Sequence, residues 1–264
     1  MRWAPPRASV WRCSCSGVPD QAGLSDLPGR VLPGRLPPAR RGERAWAGDP
    51  PPAPGEDACD RTTRVSVPRW LGGPAQQAAP RLLGSRLVSE LGGDRVVLRI
   101  TEVEAYGGEG EDPGSHAFRG MTPRNAVMFG PAGGLYVYFT YGMHWCANVV
   151  VGSPGTASAV LLRAGEIVEG AAAARARRPS ARSDRDLARG PARLASALGL
   201  SGEANGLELR DPGSPVRLEI ARRPLAVAAV TPRTGVSGEG ASTPWRFARS
   251  SAATAWPPEC QFRI

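Results

Sequence analysis

Apolar and polar positions alternate most regularly between Val96 and Arg163, and a two-residue period predicts a series of β-strands there. The longest run is Val96-Val-Leu-Arg-Ile-Thr-Glu-Val-Glu-Ala-Tyr106. Read strictly, that period puts Val96, Leu98, Ile100, Glu102, Glu104 and Tyr106 on one face, so two carboxylates follow three apolar residues. Residues 85–90 lead into this run across Leu91-Gly-Gly-Asp94, whose glycines accept the positive φ of a tight turn and predict a hairpin. Residues 135–140 and 145–151 flank Tyr141-Gly-Met-His144 and predict a second hairpin with a tyrosine and a methionine at its tip. Residues 157–163 read as a further strand. The alanine-rich residues 166–178 predict a helix with arginines near its C-terminal end, where the helix dipole favours them. Gly190-Pro191 opens another over residues 191–198, with proline at its tolerated first position. Residues 216–220 and 225–230 add strands.

Residues 107–134 break the alternation with Gly, Pro and Asp and predict a long loop carrying His116, Arg119, Thr122, Pro123, Arg124 and Asn125. A loop this long inside a compact domain is usually functional. Residues 1–75 show no sustained period and hold about half of the 27 prolines. They are expected to be disordered or to precede the true start. Cys13-Ser-Cys15 within them is a weak metal signal, since zinc sites want four ligands at closed spacing. Order is expected from about Gln76, and the pattern dissolves into an irregular tail over residues 248–264.

At 264 residues the chain can bury a real core, as one large domain or two small ones. Its net charge of +9 favours an anionic partner, nucleic acid before a membrane surface. All 33 basic residues are arginine, which excludes a mechanism built on a lysine amine such as a Schiff base. Five scattered cysteines are not a disulfide framework and suggest a reducing compartment. With no apolar run of membrane-spanning length and no apolar signal core, a soluble cytoplasmic protein is expected.

A carboxylate ending an apolar strand face loses hydration, and desolvation favours a carboxyl able to take up a proton as a base. The plainer reading is a strand leaving the core with its acids in water. Glu104, Tyr106, His116, Tyr138, Tyr141, Asn148 and Arg163 combine a base, three aromatics, a histidine, an amide and a cation, suited to something flat with polar edges. An enzyme acting on a base of duplex DNA rotates it from the stack and holds it in such a pocket. Tyr141 at a hairpin tip suits the side chain that fills the gap. The alternatives are an exposed turn tyrosine at 141 and packing roles for Tyr106 and Tyr138.

Glu102-Val-Glu-Ala-Tyr106, Ser115-His116, Thr122-Pro-Arg-Asn125, Met128-Phe129, Leu135-Tyr-Val-Tyr138, Tyr141-Gly-Met143, Asn148, Val160-Leu-Leu-Arg163 and Gly190-Pro-Ala-Arg-Leu194 together resemble the alkyladenine (3-methyladenine) DNA glycosylase family. The resemblance covers residues 76–247. It implies a mixed α/β (α+β) single domain with a curved antiparallel sheet flanked by helices. It also implies monofunctional hydrolysis of the N-glycosidic bond of alkylated or deaminated purines in duplex DNA, by a monomer without metal or cofactor, associated with a bacterial nucleoid. Under it Glu104 is the base that activates water and Arg163 helps hold that water. Tyr106, His116 and Tyr138 wall the base pocket and Asn148 gates it. Tyr141 inserts into the duplex beside Met143, while Thr122, Arg124 and Arg193 contact the DNA backbone. Alkylation makes the purine cationic, hence a better leaving group and a better partner for aromatic faces.

Three rival readings come from other classes. A two-carboxylate glycoside hydrolase would use Glu102 and Glu104, with Cα atoms roughly 6.5–7 Å apart, but on one side of a sugar instead of flanking its bond. A zinc site at His144-x-Cys146 lacks further nearby ligands. In a non-catalytic basic nucleic-acid-binding module the arginines would bind phosphate and Glu104 would be incidental.

Overall fold

Alternation along the strands gives this molecule a sheet with two unlike faces, one packed on helices and the other carrying aromatic and charged side chains. The computed structural model describes residues 67–249. The Pro/Arg-rich segment before them, with Cys13-Ser-Cys15, and the tail after them lie outside the described residues. The described strands are β1 (Arg86–Ser89), β2 (Val96–Tyr106), β3 (Leu135–Thr140), β4 (His144–Val151), β5 (Ser158–Glu169), β6 (Val216–Glu219), β7 (Ala229–Thr231) and β8 (Arg246–Ala248). They pair antiparallel in the order β3-β4-β5-β2-β1-β6, with β8 joining β2 and β7 joining β8. Helices α1 (Ala75–Leu82), α2 (Ala171–Arg177) and α3 (Pro191–Leu198) complete a mixed α/β domain with a curled antiparallel sheet. None of the described helices is long and apolar enough to cross a membrane.

Both predicted hairpins form. β1 and β2 turn over Gly92 and Gly93, with φ of 70° and 83°. β3 and β4 turn over Tyr141 and Gly142, with φ of 52° and 65°. Below the sheet, Leu82, Leu98, Ile100, Leu135, Leu162, Leu194 and Leu198 form the main core with α1 and α3. Burying each such side chain is worth about 1.5–3 kcal/mol.

β2 departs from the strict period. Its pairing with β5 shifts register between Ile100 and Glu102 and again between Glu102 and Val103. A bulge adds a residue to one strand and reverses which face the following side chains take. Val96, Leu98 and Ile100 therefore enter the main core, but Val103 and Ala105 continue it. Glu102, Glu104 and Tyr106 share a face with one another and not with the three apolar residues before them. Gly165 sits opposite Ile100, where a Cβ would lie 2.4 Å from the Leu98 side chain, so only glycine admits this pairing.

Three other boundaries differ. The helix expected from residue 166 begins at Ala171, because Glu166, Ile167 and Glu169 extend β5 against Arg99, Leu98 and Val97. Gly170, with φ of 77°, makes the change from strand to helix. Ladder hydrogen bonds thus outweigh local alanine propensity. Of residues 225–230, only Ala229 and Val230 lie in a strand, which ends at Thr231. Order also begins before Gln76: Arg69–Gly72 form a 3₁₀ turn, Leu71 is buried, and its carbonyl accepts the Gly152 amide at 2.9 Å.

Candidate active site

On the second face of the sheet, two-residue spacing brings Glu104 and Tyr106 of β2, Tyr136 and Tyr138 of β3, Cys146 and Asn148 of β4, and Leu161 and Arg163 of β5 together. Glu104 is completely buried. Its Oε2 accepts the Tyr106 hydroxyl at 3.0 Å and Arg163 Nη1 at 3.1 Å, and its Oε1 accepts the Thr234 amide at 2.7 Å. Arg163 Nε also donates to Glu102 Oε1 at 2.9 Å, and Arg246 Nε donates to the same oxygen at 2.6 Å. Burial works against the charge on Arg163, but Glu104 and Glu102 outweigh it and raise its pKa above the ordinary arginine value. Burial, and then the Glu104 charge, push the Tyr106 hydroxyl well above the usual tyrosine range, so it stays a donor.

Tyr106, Gly114, His116, Met128, Tyr136, Tyr138 and Asn148 line a small cavity of about 20 Å³. That is room for about one water and far less than a purine occupies. The His116 and Tyr138 rings meet edge-on with centroids 4.6 Å apart, and His116 Nδ1 lies 3.2 Å from the Tyr136 hydroxyl. Burial, with the nearby Arg124 charge, drives the His116 pKa down to about 4, making the ring neutral near pH 7. Burial pushes the Tyr136 hydroxyl up to about 12. Asn148 Nδ2 donates to the Tyr136 carbonyl at 3.1 Å, which fixes its amide at the cavity wall.

A second cavity, of about 440 Å³, begins at Tyr138, Arg163 and Thr234 and runs past Tyr141 to Arg178 and Arg193. Tyr138 belongs to both cavities. Tyr141 and Met143 are 48% and 64% exposed at the hairpin tip, so neither is a packing residue. Thr122 and Arg124 are exposed on the loop, and Arg124 Nη2 donates to the Phe139 carbonyl at 3.0 Å. The sequence-predicted Glu104, Arg163, Tyr106, His116, Tyr138 and Asn148 therefore meet in one place. Tyr141 and Arg193 line the wider cavity beside it, Met143 shares the Tyr141 tip, and Thr122 stands apart on the loop surface.

The long loop is anchored by two buried polar side chains. Asn125 Oδ1 accepts the Thr122 amide at 2.6 Å, while its Nδ2 donates to the carbonyls of His116 and Gly120. Asp112 accepts the amides of Gly107 and Gly114 and forms a paired contact with Arg233 at 2.5 and 2.7 Å. Burial favours the neutral form of Asp112, but Arg233 and these amides outweigh it and lower its pKa. Arg233 also donates to the Ala105 and Gly240 carbonyls, and its guanidinium carbon lies 4.7 Å from the Tyr106 ring centroid and 5.3 Å from that of Trp245.

Sequence reasoning left out Tyr136, Arg233, Thr234 and Arg246 as site residues. Tyr136 carried a signal, since it shares the Tyr138 face at spacing two. The other three reach the site from outside the Val96–Arg163 stretch, and Thr234 acts through its backbone amide, which no residue type announces. Among the described residues no group of three His, Cys, Asp or Glu could hold a metal ion.

A family described as Methylpurine-DNA glycosylase (MPG) matches residues 69–253, somewhat beyond the span of the resemblance at both ends. A relative named "Putative 3-methyladenine DNA glycosylase" from Nocardia farcinica is 57% identical over 188 residues, which cover 69% of this chain and 86% of that protein. Relatives of the same name are 54% identical over 193 residues in Streptomyces avermitilis (72% and 89% covered) and 45% over 191 residues in Burkholderia lata (69% and 90% covered).

Proposed function

The chain belongs to the methylpurine-DNA glycosylase family and is a DNA glycosylase, a hydrolase of base-excision repair, and from that premise we propose how its site works. It takes an alkylated or deaminated purine out of double-stranded DNA and hydrolyses the N-glycosidic bond with water activated by Glu104. The observation that carries this reading is a wholly buried carboxylate, held by Arg163, Tyr106 and the Thr234 amide, beside a cavity walled by aromatic rings.

A carboxylate offers about four lone-pair positions, and these three donors leave one for a water. Arg163, fixed between Glu102 and Glu104, orients that water. As the water oxygen bonds to the sugar C1′, its proton passes to Glu104. The C1′–N9 bond breaks with its electron pair leaving on the purine. An alkylated purine departs uncharged, which lowers the barrier, whereas a neutral one must also gain a proton.

The small cavity widens to admit the base, which stacks among Tyr106, His116 and Tyr138 while Asn148 presents its amide to the purine edge. Stacking of about 1–3 kcal/mol per base offsets the few kcal/mol of flipping, so firmly paired normal bases stay in the helix. Tyr141 and Met143, exposed at a hairpin tip, fill the vacated space, and Thr122, Arg124 and Arg193 bind phosphates.

Single-turnover release of hypoxanthine or 3-methyladenine from duplex DNA tests the reading against Glu104→Gln. Release by the parent, reduced roughly 10²–10⁴-fold in the variant with DNA affinity retained, is expected. DNA binding by both without release would point instead to a non-catalytic binding module.

A further inference from the structure

The charge behind the pocket wall has a consequence for which bases the enzyme takes. Arg233 is completely buried at its side chain and lies over the Tyr106 ring, and it is not among the residues lining the cavity that Tyr106 shares with His116 and Tyr138. A base stacked on Tyr106 meets a ring that already holds a cation. A guanidinium on one face of a ring draws on the same electron density that would attract a second cation. Asp112 balances the charge of Arg233, yet it meets both Nη atoms at the guanidinium's fork, away from the stacked face.

A second lining ring repeats the arrangement more weakly. The Arg124 guanidinium carbon lies 5.6 Å from the Tyr138 centroid, with its side chain exposed. Both tyrosine walls thus carry a cation over the ring before any base arrives, while the Glu104 carboxylate meets Tyr106 at its hydroxyl edge. A neutral base stacks by dispersion and is little affected, whereas a cationic one loses part of its attraction.

We propose that Arg233, assisted by Arg124, is a specificity-determining residue that weights the pocket toward neutral purines and against cationic alkylpurines. This rests on the glycosylase reading above. Arg233 touches neither the reacting bond nor, on this geometry, the base, and acts through the Tyr106 ring.

The experiment measures single-turnover rate constants for cationic 7-methylguanine and neutral hypoxanthine in the same duplex, at saturating enzyme, and reads their ratio. In R233M paired with D112N, which leaves no lone buried charge, the cationic-to-neutral ratio is expected to rise roughly two- to tenfold. A purely structural role would slow both bases alike and leave the ratio unchanged, which overturns the proposal. The exposed Arg124 supplies a version that does not put the fold at risk. In R124A weaker phosphate contact slows both substrates, but the ratio is expected to rise about twofold. An unchanged ratio there, should the double variant fail to fold, also overturns the proposal. If the parent releases none of 7-methylguanine, hypoxanthine and 3-methyladenine, the glycosylase reading itself fails, and the proposal with it.

Discussion

Along the first half of β2, Arg95 joins Glu90 and Glu169 while Arg99 meets Glu166, with side chains 39% to 54% exposed. Along the second half, Arg163 joins Glu102 and Glu104 with side chains no more than 9% exposed. One strand therefore carries the same chemistry in two solvents. In water the ions are screened and replaceable, and their pairing adds little. In the buried half each charge depends on its partner, so the network fixes geometry at a cost in desolvation. The bulge between Ile100 and Val103 separates these halves, and only the second can hold a carboxylate against Arg163 with a defined orientation.

The sharpest way to break this contrast is Arg163→Met, which strands the buried Glu104 carboxylate without a cation and leaves Glu102 to Arg246 alone. It is expected to cost about 3–5 kcal/mol in chemical denaturation and to abolish base release. The double change R163M/E104Q, which keeps Glu102 paired with Arg246, should recover most of that stability and none of the activity. A single variant as stable as the parent would remove the distinction between the halves.

Tyr136→Phe tests the pocket. Losing the hydroxyl beside His116 is expected to cost about 0.5–1.5 kcal/mol. His116 supplies a pH test. Its folded pKa of about 4 lies below the unfolded value of 6.5, so the unfolded chain binds the extra proton between them. Stability from this group is therefore full above pH 6.5 and declines as pH falls toward 4. His116→Gln should flatten the decline, and NMR titration of the imidazole should give a midpoint near 4. A midpoint near 6.5 would mean the ring is not buried as described.

Glu90 shows the exposed half responding in another window. Hydrogen bonds from Arg217 and then Arg95 hold its carboxyl down to about 2, so its contribution is present above pH 4.5 and fades as pH falls toward 2. The smallest effect is expected from Arg99→Ala, which should move Tm by no more than about 1–2 °C and by less in high salt.

The strands and the pocket were legible because both follow from period two. Tyr136 and Tyr138, Asn148, Leu161 and Arg163 fall on one face by counting alone, and a domain of short antiparallel hairpins brings them together. The phase of β2 was not legible. A bulge arises from pairing between distant strands, here admitted by Gly165, and leaves no trace in the residues of β2 itself. The helix expected from residue 166 was lost for a related reason, since Glu166 and Ile167 pair with residues nearly seventy positions earlier. Arg233 and Arg246 looked like members of a large arginine population until the fold placed one behind Tyr106 and the other on Glu102.

Tyr141 adopts φ of 52°, a backbone region where asparagine or glycine is more comfortable and where other residues cost about 1–2 kcal/mol. The free protein is thus less stable than it could be at this one tip. Under the proposed function, the return is readiness: the ring stands outside the domain before DNA arrives, on a turn already closed. Little ordering remains to be done when the duplex opens. Tyr141→Asn should therefore melt at a higher temperature and extract bases more slowly, a resting strain carried for the sake of a faster encounter.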